Sequence, residues 1–133
     1  VSEFSLDLWF TKLTEDKMET IVKKSFIGLS VDIIKDTPVD SGRLRNNWFP
    51  AINKYSAVKT DNIDKSGSVA ISNVTSLSTR YKLGDTITLT NNLPYASRIE
   101  FLGWSKLKAP KGMVRINVTK WQKIVDDNAR KAR

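Results

Sequence analysis

Two stretches with apolar residues at helical spacing, separated by a short run in which aliphatic residues alternate with threonines, predict an α+β fold. The expected architecture is a long N-terminal helix and a C-terminal helix packed on a small antiparallel sheet. Between Lys17 and Lys35, Met18, Ile21, Val22, Phe26, Leu29, Ile33 and Ile34 recur at the steps of one helical stripe and predict a helix over about 13–36. Thr14 lacks the glutamate that would complete a capping box, but Glu15 and Asp16 suit the positive helix end. Pro38 closes the helix, because a proline drives the residue before it out of the helical region.

Asp40 and Ser41, ahead of Gly42, offer side-chain oxygens to the free N–H groups of a short turn, Arg43 to Asn47; capping and packing, with Leu44 and Trp48 in the core, is favoured for this stretch over an interface role. Pro50 to Val58 alternates irregularly, and Lys59 to Ser68 reads as an exposed loop or hairpin tip. Ile71, Val74 and Leu77 favour a second short helix. Gly84-Asp85 is a turn, and Thr86 to Thr90 sets Ile87 and Leu89 against threonines like a half-buried strand. A short helix is expected over Pro94 to Phe101, with Tyr95, Ile99 and Leu102 inward. Val114, Val118, Trp121 and Val125 mark a final helix over about 113–130, with Trp121 on its buried face. No repeat or low-complexity segment divides the chain, so its 133 residues are read as one domain, large enough to bury roughly two thirds of the unfolded surface.

The residue inventory narrows the chemistry. Cysteine and histidine are both absent, which excludes a disulfide framework, a thiolate zinc site and the commonest general base. The sequence holds no glycine-rich phosphate loop, paired-carboxylate motif or nucleophile motif, and Asp40-Ser41 lacks a histidine to complete a dyad. A non-enzymatic protein without cofactor or metal is the expectation. No apolar run approaches the roughly 20 residues of a membrane span, and Val1 to Phe10 does not read as a signal peptide, so a soluble intracellular protein is expected. The net charge of +8 is concentrated: Arg98 to Arg133 holds ten Lys and Arg against three acids, a balance of +7, which leaves +1 for Val1 to Ser97. That asymmetry implies an acidic partner, either nucleic acid or an acidic protein surface.

Two stretches carry more specific information. One is Thr37-Pro38-Val39-Asp40-Ser41-Gly42-Arg43-Leu44-Arg45-Asn46-Asn47-Trp48. The other is Thr90-Asn91-Asn92-Leu93-Pro94-Tyr95-Ala96, continuing through Ile99-Glu100-Phe101 and Gly103-Trp104-Ser105 to Ala109-Pro110-Lys111-Gly112-Met113-Val114-Arg115. In order and spacing they resemble the neck and tail-completion family of tailed bacteriophages, whose members are also described as minor tail or head-tail joining proteins. The resemblance runs from the first helix to the last, leaving Val1 to Phe10 and 56–80 unmatched. Ser41 stands where the family commonly has threonine and Leu107 where it commonly has glutamine. The resemblance implies a structural subunit of a homo-oligomeric ring, six copies rather than twelve, located in the virion neck or tail after assembly in the bacterial cytoplasm. Its implied neighbours are the head-tail connector and the tail terminator or tail tube, with DNA in the channel as a further contact. It transfers no catalytic residue.

The candidate interface residues are Arg43, Arg45, Glu100, Trp104, Lys106, Leu107, Lys108, Lys111 and Arg115. The forked guanidinium groups of Arg43 and Arg45 suit carboxylates on a neighbour. Glu100 answers an arginine either within the subunit or across the ring. In Gly103 to Gly112, Trp104 and Leu107 alternate with Lys106, Lys108 and Lys111, a pattern suited to recognition, although Trp104 folded back on its own domain is the equal alternative. A different class of function, a basic nucleic-acid-binding module, rests on the same cationic third with its interleaved aromatics.

Overall fold

The computed structural model describes residues 15–94, 96 and 114–132. Helix α1, Glu15–Asp36, runs the expected course. It stops where the Thr37 hydroxyl donates to the Ile33 carbonyl at 2.7 Å and Pro38 follows. Its apolar stripe is shared between two contacts. Phe26, Ile33 and Ile34 enter the main core, while Ile21 meets Val125 and Ala129 in a smaller cluster.

After a single 3₁₀ turn, Arg45–Asn47, strand β1 spans Trp48–Ile52 and pairs antiparallel with β2, Ile87–Asn91, in the register Trp48↔Asn91 to Ile52↔Ile87. β1 is a strand that the irregular alternation after Trp48 and the presence of Pro50 conceal. The Asn53 N–H donates to Thr86 O at 2.7 Å, extending the ladder by one pair. Hydrogen-bonded pairs alternate in an antiparallel ladder, so Ala51 and Phe49 face β2 with their backbone groups and Pro50 faces away, where no donor is required. The same register places Trp48, Pro50, Ile87 and Leu89 on one face, where Trp48, Ile87 and Leu89 join the main core.

Helix α2, Ser68–Ser78, buries Ala70, Val74 and Ser78, with Ile71 packed at the core margin. The core is thus α1 and α2 against one face of a two-stranded sheet, completed by Leu44, Leu93 and Ala96. No helix among the described residues is long and apolar enough to cross a membrane.

The C-terminal helix differs from expectation. It is two helices, α3 (Val114–Val118) and α4 (Trp121–Ala132), interrupted where the Lys120 N–H donates to Asn117 O and the Thr119 hydroxyl to Ile116 O. Trp121, expected inside, is 39% exposed and Val118 50%. The reason lies in what α4 packs against. Its contact with α1 is made through Val125 and Ala129 on Ile21, Ile124 near Gly28, and Asn128 on Ser25. A close approach centred there leaves Trp121 at the margin.

Candidate functional site

The first signature stretch folds into a cross-linked corner. The Trp48 indole N–H donates to the Thr37 hydroxyl at 2.9 Å, and Thr37 donates onward to α1, so the strand start is tied to the helix end through buried groups. Arg45 adds a second tie. Its guanidinium donates to the carbonyls of Lys35 and Thr37, both at 2.8 Å, and to that of Lys65 at 2.7 Å. The first two carbonyls belong to the negative end of α1, which attracts a cation. The fork of Arg45, which suits a carboxylate on a neighbour, is here built into the chain's own corner. Arg43 does meet a carboxylate, but one of its own chain, Asp61 at 2.9 Å, in a pair whose Asp61 side chain is 94% exposed. Gly42 sits at φ +92°, and a β-carbon there would come within 2.6 Å of the Lys65 nitrogen, so this position has to be glycine.

The corner grips residues 53–67, of which 59–68 is expected as an exposed loop or hairpin tip and 50–58 only as an irregular alternation. Alternate carbonyls along it accept from side chains of the body: Lys54 O from Thr88, Ser56 O and Val58 O from Asn92, Thr60 O from Asn47, and Asn62 O from Asn46. Asn47 also accepts from the Thr60 N–H at 3.0 Å. Thr88 projects from the sheet face opposite the core and Asn92 directly follows β2, and together they hold this segment as a polar underlay. On top of it Tyr55 (80% exposed), Val58 and Ile63 stand in solvent. The available sequence signal was the set of amides, Asn46, Asn47 and Asn92, within the two signature stretches.

Helix α2 begins beside this segment. Asp64 accepts from the Ser66 hydroxyl and from the Ser66 and Val69 N–H groups. The Ser66 bond first, then the Val69 N–H, holds its carboxyl below the ordinary aspartate value.

The basic C-terminal region is partly neutralised from within. Lys123 and Arg130 both pair with Asp127, whose carboxyl is lowered by Lys123 first and Arg130 second. Asn117, fully buried, donates to Asp36 at 2.8 Å and anchors α3 to the end of α1. Arg115 lies in α3. Exposed Val118, Trp121 and Lys120 cluster in sequence at the α3–α4 break. Glu100, Trp104, Lys106, Leu107, Lys108 and Lys111, together with the expected recognition loop Gly103 to Gly112 and nearly all of the helix expected over 94–101, lie outside the described residues. Among the described residues no group of three acidic side chains is placed to hold a metal ion. Comparison with known protein families, curated proteins and solved structures finds no match for this chain.

Proposed function

We propose that this chain is a non-enzymatic structural subunit of a tailed-bacteriophage neck, completing the tail and joining it to the DNA-filled head as part of a homo-oligomeric ring. The observation that carries the reading is the pair of signature stretches, Thr37 to Trp48 and Thr90 to Arg115, in that order in one short chain. The geometry of the first supports it. Thr37, Arg45, Asn47 and Trp48 use their polar atoms to lock a helix end, a strand start and a long surface segment together. Side chains so engaged stiffen a surface for docking. A closed head-to-tail contact is the symmetry such a ring requires, with six copies favoured over twelve. Its partners are then further copies of itself, the connector, the tail terminator or tube, and DNA in the channel, in the virion. Electron microscopy of the purified protein, alone and mixed with tails, tests the proposal. Rings seated on tail ends are expected; a virion reconstruction with single, unringed copies overturns it.

One observation favours a second reading, a nucleic-acid-binding module. Trp121 is exposed beside Lys120 at a helix start, as a base-stacking platform would be. Titration with plain duplex and single-stranded DNA across salt concentrations separates the two. Tight binding with a steep salt slope, lost in Trp121→Ala, supports the module; weak binding insensitive to that change rejects it.

A further inference from the structure

The segment above the sheet has one edge bonded to the body and one open edge. The carbonyls of Lys54, Ser56, Val58, Thr60 and Asn62 accept from the body, and the N–H groups of Val58, Thr60 and Asn62 donate to Ser56 Oγ, Asn47 Oδ1 and Thr60 Oγ1. Every one of these residues is even-numbered. The backbone N–H and C=O groups of Tyr55, Ala57, Lys59, Asp61 and Ile63 have no hydrogen-bond partner among the described residues. In an extended chain successive residues direct their backbone groups to opposite edges, so the odd residues present an unpaired edge suited to strand addition. No proline or glycine blunts it between Lys54 and Lys65, and Tyr55, Ala57, Val58, Lys59, Asp61 and Ile63 are all exposed.

We propose that this edge pairs antiparallel with the same edge of a second copy, with Thr60 opposite Thr60. Charge selects both partner and register. In that register Lys59 of each copy faces Asp61 of the other, so two opposite-charge pairs form about the two-fold axis, and Ile63 faces Ala57. Sliding the pairing by one step in either direction sets Lys59 against Lys59, or Asp61 against Asp61. Opposite charges directly across a ladder stabilise it and like charges destabilise it. A lone lysine on an edge strand normally discourages pairing; Asp61 two residues on, paired to Arg43 of its own chain through Oδ1 but with its side chain 94% exposed, makes the edge self-complementary. In the same register Tyr55 lies diagonal to Ile63 of the partner, within reach of an aromatic ring. The contact is isologous and closes at two copies, so it is distinct from the head-to-tail contact of the proposed ring and describes a dimer of the free protein.

Analytical ultracentrifugation of the full chain, free of any phage component, tests the pairing. The wild type is expected to show a concentration-dependent dimer. Lys59→Asp and Asp61→Lys each place two like-charge pairs across the axis and should weaken association about tenfold or more. Mixing these two variants restores opposite charges at both positions, so the mixture should dimerise although neither does alone. Circular dichroism checks that both remain folded. Amide exchange supplies a second readout, since the Lys59 and Asp61 N–H groups should gain protection as wild-type concentration rises. A wild type that stays monomeric at millimolar concentration overturns the proposal, as does a dimer that the single variants leave intact or that mixing fails to restore.

Discussion

Asn47 is fully buried and makes three hydrogen bonds: its amide donates to Arg43 O at 2.7 Å and to Thr60 O at 3.0 Å, and its carbonyl accepts from the Thr60 N–H at 3.0 Å. Asn47→Ala removes all three and leaves a small void. A net contribution of about 1 kcal/mol for each bond gives about 3 kcal/mol. Thr60 is half-exposed and its backbone recovers some water, which lowers the expected loss to about 2–3 kcal/mol. For a chain of this length that corresponds to a fall in Tm of about 10 °C. Urea unfolding measures the free energy, and amide exchange at Thr60 reports whether the grip on the surface segment is lost. Asn47→Asp separates the two roles. It keeps the acceptor for the Thr60 N–H but sets a carboxylate against the carbonyls of Arg43 and Thr60, so it should be at least as damaging as alanine at neutral pH. Its deficit relative to Asn47→Ala should shrink as pH falls. A carboxyl held among acceptors has a raised folded pKa, and once protonated it regains a donor. A loss below about 1 kcal/mol for Asn47→Ala, with Thr60 still protected, would mean that these bonds do not hold the surface segment.

Thr37→Val strands the buried Trp48 indole N–H and should cost about 1–3 kcal/mol in chemical denaturation, whereas Trp48→Phe, which removes donor and indole together, loses packing as well and leaves Thr37 its bond to Ile33. Gly67→Ala should destabilise by more than about 1 kcal/mol, since its φ of +80° is left-handed and a β-carbon would lie 2.7 Å from Ile34 Cγ2; a neutral effect in thermal melts would contradict the account. Asp64, lowered by the Ser66 hydroxyl first and the Val69 N–H second, contributes stability above the unfolded aspartate value of about 4 and loses it as pH falls through the lower folded value. Asp64→Asn should therefore flatten the acid limb of the stability profile relative to wild type. Reversing Lys106, Lys108 and Lys111 to Glu is expected to weaken head-to-tail joining most at low salt, where screening is least, and normal assembly by such a phage would reduce that charge to solvation.

What the sequence determined by itself is the set of elements in which local pattern and local chemistry agree. The stripe from Met18 to Ile34 with Pro38 behind it defines α1, the threonine alternation defines β2, and Ser41 and Gly42 define the turn before Trp48. These signals lie within a few residues of the structure they specify. Tertiary contacts decided the rest. β1 exists because Ile87 to Asn91 lies beside it and Pro50 falls on the edge that need not donate, a fact no window around Pro50 contains. The C-terminal stripe placed Trp121 inward, but the helix breaks at Thr119-Lys120 and packs through Val125, Asn128 and Ala129 against Ile21 and Ser25, so its partner, not its periodicity, chose the buried face. Arg45 suited a carboxylate until the end of α1 supplied carbonyls nearer at hand. Likewise the 53–67 segment carries no periodic signal because its order comes from amides elsewhere in the chain, Asn46, Asn47 and Asn92. Hydrogen bonds between residues tens of positions apart impose no period on the sequence of the segment they hold.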